Sequence, residues 1–402
     1  MRRFPPAVRL LLVNQFGVNA GFYLLIPYLA TYLTEDIGLT IATVGLVLGA
    51  RNLSQQGLFL LGGTASDRLG ARGVIIAGCG LRAVGFGLFA VGESLPVLLA
   101  AAVLSGLAGA LFNPAVRAYI SLEVGEGQRA DAFALFNVFA QTGALVGPVL
   151  GAALLLVDFR VSAVVAAGIF AALTVAQALV LPARAVPPAQ GTVWSDVREC
   201  LGNKRFVAFT LALSGMFALQ NQLYLVLPVE ARRLTGTPAS VAALFIASTV
   251  VTLLAQVRIT RALADRPRGW SIALGLVLMG LAFAAPALAY LWPSPGALWP
   301  GLAPVLVAAV LLAVGLAVAQ PFVYELIPAF GAERVTGTYF GVFYLGSGAV
   351  AAVSTVVVGW AGEGRHGWAA SVLCLLLGIG GAVGVLLLDR RGALAPQPER
   401  VA

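Results

Sequence analysis

Few residues in this sequence can do chemistry, and they fall into three sets. The first is a charged turn, Gly63-Thr-Ala-Ser-Asp67-Arg68-Leu-Gly70-Ala-Arg72, directly after a long apolar run. Asp67 there can face a helix N-terminus or an arginine, while Arg68 and Arg72 suit an anionic membrane surface. The second set is carboxylates close to apolar interior: Asp131, Glu230 and Glu325, with Glu325 best placed beside Tyr324. Partial desolvation lifts such a group toward neutrality, as loading and releasing a proton requires. A plain salt bridge from Glu325 to Arg334 or Arg129 competes with that role. The third set is Arg51 and Arg82, each inside an apolar run with no carboxylate on its own helix. They either hydrogen-bond to neighbours such as Asn52, Gln55 and Gln56 or attract an anionic group of a ligand.

These sets do not make an enzyme. The single histidine, His366, stands in a short Gly-Arg-His-Gly segment, and Cys79, Cys200 and Cys374 are far apart with no metal-ligand spacing around them. The one lysine, Lys204, follows Asn203 and not a glycine-rich loop, so ATP hydrolysis is not expected. No metal and no cofactor are expected.

The elements that position these residues follow from composition. Hydrophobic residues make up 60% of the 402 and charged ones 10%, with a mean hydropathy of +0.94. Soluble domains carry about 25% charge, and lipid-exposed backbone must satisfy itself as helices or closed barrels. The long uniform runs predict an all-α membrane protein of twelve spans, near 7–33, 40–64, 73–92, 96–119, 131–156, 161–181, 205–229, 239–263, 270–291, 302–326, 337–360 and 368–388. The first run is too long for a cleaved signal and is expected to be retained. Of the 25 Lys and Arg, only Arg160, Arg232, Arg233 and Arg365 fall outside if both termini are cytoplasmic, with Arg51 and Arg82 within spans. The net charge of +8 is then a topology signal and not a nucleic-acid footprint.

The sequence also repeats. Tyr23-Leu-Leu-Ile-Pro27 returns as Tyr224-Leu-Val-Leu-Pro228, Thr40 to Val44 as Thr237 to Val241, Asp67-Arg68 as Asp265-Arg266, and Gly106 with Pro114 as Gly315 with Pro321. Two pseudo-symmetric six-helix halves are predicted, 1–181 and 205–389, joined by a cytoplasmic linker over 182–204 and followed by a tail over 390–402. Trp194, Val197 and Leu201, after a possible N-cap at Thr192, predict a short amphipathic helix in the linker, with a solvated tether as the alternative.

The turn from Gly63 to Arg72 resembles the loop 2–3 signature of the major facilitator superfamily, and Gly143-Ala-Leu-Val-Gly147-Pro148-Val-Leu-Gly151 resembles its antiporter motif. Glycines 143, 147 and 151 form a smooth stripe for close helix contact, and Pro148 bends the span. Gly45 to Gly63, including Leu48 to Gly57, together with Leu81 to Phe86 and Leu104 to Gly109, resembles the MdtH group of drug efflux proteins, within the N-terminal half. Two departures stand out: the span 4 arginine of many drug antiporters falls on Ala102, and the acidic position of span 1 on Asn14.

The resemblance implies gating by Gly63, Asp67, Arg68, Gly70 and Arg72 and by the stripe at Gly143, Gly147, Pro148 and Gly151. It also implies a central cavity lined by spans 1, 4, 7 and 10. The polar and aromatic residues available there and on flanking spans are Asn14, Gln15, Asn19, Tyr23, Arg51, Asn113, Asn137, Gln141, Gln220, Gln222, Tyr224, Gln320, Tyr324 and Phe343. Such a pocket suits amphipathic ligands. The expected function is proton-coupled export of hydrophobic or amphipathic small molecules by alternating access, with Glu325 or Asp131 carrying the proton. Symport import of a small metabolite is the alternative, and an embedded enzyme acting on lipid-linked substrates is a more distant one. The expected setting is the bacterial inner membrane, multi-pass and monomeric, with no nucleic-acid partner.

Overall fold

The computed structural model describes residues 3–39, 41–155, 157–183, 192–223, 226–235, 239–291, 298–362 and 368–394. Tyr224, His366, linker residues 184–191 and the tail beyond 394 lie outside these. The described residues are helical with no strand, and eleven helices are long and apolar enough to cross a membrane. Twelve were expected. The run at 40–64 forms two shorter helices, α2 (Ile41–Gly57) and α3 (Phe59–Leu69), which meet at Leu58. Gly57, at the joint, lets the backbone leave helical geometry cheaply. Large apolar side chains point outward, Leu53, Leu179 and Trp360 among them, at 74%, 80% and 75% exposure. That surface suits hydrocarbon and not water.

The chain divides into two compact units. The first holds Met1–Cys200 with Gly331–Leu345. Its helices are α1 (Pro6–Thr31), α2, α3, α4 (Ala71–Val91), α5 (Leu95–Glu123), α6 (Glu126–Leu155), α7 (Phe159–Val180) and α8 (Val193–Gly202) as far as Cys200. Small residues set its helix spacing: a Cβ at Gly85 would lie 3.0 Å from the Ser105 nitrogen, and one at Gly106 would strike Ser54 and the Arg51 carbonyl. Phe86, Phe89, Phe112 and Phe170 fill the space these contacts enclose. Gly70 joins α3 to α4 at φ 87°, a backbone region that other residues rarely adopt.

Linker helix α8 begins as expected, with Ser195 N–H donating to Thr192 Oγ1 at 3.2 Å. Its faces are placed differently. Val197 is buried beside Asp196 and Cys200, while Trp194 and Leu201 stay exposed. The ion pairs made by Asp196 turn the helix, so the buried face centres on a carboxylate and not on the tryptophan.

The second unit holds Leu201–Phe330 with Gly346–Ala402. Its helices are α9 (Lys204–Asn221), α10 (Val226–Thr235), α11 (Ala239–Ala262), α12 (Arg268–Leu281), α13 (Ala284–Leu288), α14 (Leu298–Leu326), the later part of α15 (Thr336–Ala361) and α16 (Trp368–Arg390). Gly275 and Gly315 face each other so closely that a Cβ on either would lie 2.6 Å from the other's carbonyl oxygen. The break between α12 and α13 has a local cause. Pro286 supplies no N–H to Ala282 four residues earlier, and its ring crowds that carbonyl.

Candidate functional site

In the first unit the predicted residues on α1 and α6 come together. The glycine stripe of α6 lies along the α1 backbone: a Cβ at Gly147 would stand 2.7 Å from the Ala20 oxygen and 2.9 Å from Tyr23 Cβ, and one at Gly143 3.0 Å from Asn19 Cβ. A Cβ at Gly151 would meet the Tyr28 ring at 2.7 Å. Tyr28 in turn donates to the Pro148 carbonyl at 2.7 Å. Amides cluster at this seam. Gln15 Nε2 donates to Asn19 Oδ1 at 3.3 Å, and Asn19 Nδ2 donates to the Ala140 carbonyl at 2.8 Å, between half-buried Asn137 and Gln141. Asn14 is buried with neither amide atom bonded, and Gln15 Oε1 is likewise unbonded. A buried amide in that state costs about 1–3 kcal/mol.

Arg51, on α2, donates to Asn52 Oδ1 and Gln55 Oε1, each at 2.9 Å, and stacks over the Phe22 ring at 4.6 Å. Asn113 on α5 contributes its carbonyl to Arg117, whose guanidinium lies 5.2 Å from the Tyr344 ring; Phe343 beside it is fully buried.

The charged turn forms a closed joint with the start of α15. Asp67 accepts from Gly337 N–H at 2.7 Å, Thr338 N–H at 2.6 Å and Thr338 Oγ1 at 2.6 Å. These backbone donors belong to the first turn of α15, where N–H groups lack intrahelical partners. Gly63 and Gly337 face each other with no room for a Cβ on either. Arg68 pairs with Asp196 at 2.7 Å, and Arg72 donates to the carbonyls of Leu181 and Ala178, each at 2.7 Å. Asp67 lies outside the eleven candidate spans. Burial pushes its carboxyl up to about 7, against the hydrogen bonds from Thr338 and Gly337 that pull it down.

Asp131, within α6, pairs with Arg3. In the second unit Gln222 is buried, donating to the Ala218 carbonyl at 2.9 Å, with its Oε1 unbonded. Gln220 is half-buried nearby, and Gln320 Nε2 donates to Tyr324 Oη at 3.4 Å. Glu325 forms a salt bridge within the second unit. Its partner is Arg268, at 3.0 Å, from the start of α12. In the first unit Arg334 holds Asp196, at 3.1 Å, and Glu199, and Arg129 binds the Ser121 carbonyl and Glu126.

Two charged groupings carried no distinctive local signal. Asp196 joins Arg68 to Arg334, although nothing in the linker sequence marks it apart from other solvated acids. Glu230, 3% exposed, accepts from Tyr290 Oη at 2.6 Å and pairs with Arg233 at 2.7 Å, and the Arg233 guanidinium stacks 3.6 Å over the Tyr290 ring. The Tyr290 half of that group is 60 residues from Glu230, beyond the reach of any spacing argument.

A family model described as Major Facilitator Superfamily matches residues 11–355. The chain is 42% identical over 370 residues to an uncharacterized MFS-type transporter of Mycobacterium tuberculosis, covering 89% of this chain and 86% of that one. It is 32% identical over 355 residues to multidrug resistance protein MdtH of Klebsiella pneumoniae, covering 87% and 85%. Among solved structures, the Escherichia coli fucose:proton symporter superposes with a TM-score of 0.76 at 15% identity, over 94% of this chain and 98% of that one.

Proposed function

This chain belongs to the major facilitator superfamily, and we propose that it exports hydrophobic or amphipathic small molecules by proton-coupled alternating access. In this reading it is a twelve-span monomer of the bacterial inner membrane, with both termini cytoplasmic and halves at 1–181 and 205–389. Likeness to MdtH proteins supports efflux. The observation that carries the reading is the stripe Gly143, Gly147 and Gly151 seated on the α1 backbone beside Gln15 and Asn19. Glycine contacts let two helices slide or rock without unlocking side chains, so the ligand-facing amides move with the gate.

The Asp67 joint is the second moving part. Three hydrogen bonds on one carboxylate favour one gate state over the other, and transport requires that both be visited. Small-molecule substrate, lipid bilayer and proton are the only partners this mechanism needs.

The test is transport of a fluorescent amphipathic dye panel in proteoliposomes with imposed proton or sodium gradients. Proton-driven dye movement against its own gradient, in the direction opposite to the protons, is expected. Movement of substrate and proton in the same direction would instead establish symport, and movement with sodium alone would replace the coupling ion.

A further inference from the structure

We infer that Arg51 and Arg82 together form a receptor for one oxyanion group, carboxylate, sulfonate or phosphate, on an otherwise apolar ligand. The inference deepens the export reading and rests on it for the route by which the ligand leaves. Both arginines lie in the first unit, at 9% and 6% exposure, on α2 and α4. They share one aromatic surface: the guanidiniums lie 4.6 Å and 6.0 Å from the Phe22 ring centre. Arg82 is further ringed by Phe170 at 5.4 Å and Phe112 at 6.0 Å.

The donors around that surface outnumber the acceptors. Arg51 spends two nitrogens on Asn52 and Gln55, while its Nε is buried and unbonded. Arg82 makes no hydrogen bond to a described residue, and neither arginine has a carboxylate partner among them. Four described acids near apolar interior or buried are engaged elsewhere, Asp131 with Arg3, Asp196 with Arg68 and Arg334, Glu230 with Arg233 and Glu325 with Arg268. Two buried like charges repel, and ring contacts offset only part of their lost hydration. A structural arginine would have its fork closed by carbonyls; the Arg82 fork has no carbonyl partner among the described residues, and Arg51 keeps its Nε unbonded.

Space is kept for them as well. A Cβ at Gly109 of α5 would stand 3.0 Å from Gln55 Cδ and 3.1 Å from Arg82 Nη2. Glycine there leaves room for both the Gln55 amide, which Arg51 bonds, and the Arg82 guanidinium beside the same point of α5. Phe22, Phe86 and Phe170 border this site, with ring centres 6.4 Å and 4.9 Å apart in sequence. A planar oxyanion matches guanidinium forks, and the phenylalanines match an aromatic or aliphatic body.

The experiment is equilibrium binding of 1-naphthoate and its neutral isostere 1-naphthamide to the full chain in lipid nanodiscs. Naphthoate should bind about tenfold or more tightly than the amide, as charge-assisted hydrogen bonds allow, and Arg82→Gln or Arg51→Gln should shrink that preference to within about twofold while sparing the amide. Arg82→Lys, which keeps the charge, should retain part of it. Equal binding of the two probes to the unmodified protein overturns the inference, as does an unchanged preference in a glutamine variant that melts normally. Should the glutamine variants fail to fold, the unmodified protein and Arg82→Lys decide it alone. Dye efflux without anion preference would leave export standing and remove this site; anion preference without dye transport in either direction would do the reverse.

Discussion

At the scale of single residues, Asp67 and Asn14 are each held in a costly state. Burial raises the Asp67 carboxyl from 3.8 to about 7, so the buried joint binds a proton more readily than an opened one. Its contribution to the closed joint is therefore full below about 3.8 and is lost as pH rises through about 7. Hydrogen exchange at the Gly337 and Thr338 amides, corrected for intrinsic rates, should report more opening as pH climbs through that window. In Asp67→Asn the corrected opening should be independent of pH, and turnover should fall by about tenfold with binding preserved, since one acceptor is lost from a gate and not from the ligand. Normal transport by Asp67→Asn at normal expression would remove it from the gate. Asn14 is the opposite kind of residue, buried with its amide unbonded. Asn14→Leu should raise thermal stability by about 1 kcal/mol or more while lowering dye affinity; a gain in stability with unchanged affinity would make it a packing residue only.

At the scale of elements, α6 and α8 carry the sharpest expectations. A side chain at Gly147 must displace the Ala20 carbonyl or Tyr23, so Gly147→Leu should part α1 from α6 and cost about 1–3 kcal/mol. Pro148→Ala restores a backbone donor and straightens α6 while sparing the bond from Tyr28 to the residue 148 carbonyl. Both variants should shift the balance of inward and outward states, read by cysteine accessibility at positions away from the seam, and normal transport by both would leave the stripe as packing alone. In α8, Asp196→Asn should weaken the holds on both Arg68 and Arg334 at once. Exchange at the α8 amides should then rise more than in Glu199→Gln, which loses one exposed pair.

At the scale of the whole molecule, coupling is the property to test. Glu325 and Asp131 are the proposed proton carriers, and each has an arginine partner that must release it. Glu325→Gln and Arg268→Gln both break the same salt bridge, yet only the first removes a titrating carboxyl. Proton-driven dye accumulation should be lost in Glu325→Gln and retained in part in Arg268→Gln, while substrate counterflow without a gradient continues in both. Equal losses would mark the pair as structural. Full coupling in Glu325→Gln and Asp131→Asn alike would point to another carboxylate, with buried Glu230 the next to examine.

Long apolar runs, the Gly and Pro positions within them and the asymmetry of arginines are local properties, and they sufficed for an all-helical membrane fold, for most helix positions and for the close-packed stripe of Gly143, Gly147 and Gly151. Bilayer insertion depends on segment hydrophobicity, and close helix contact on residue size, both of which are written in consecutive residues. Partnerships between distant residues are not. Asp67 meets donors at positions 337 and 338, Glu325 meets Arg268 from 57 residues away, and Asp196 gathers both Arg68 and Arg334. Any arginine could have neutralised any of these carboxylates as far as charge is concerned. Which one does is decided by the angle and depth at which helices pack, because an ion pair forms only where packing brings two side-chain ends within hydrogen-bond reach.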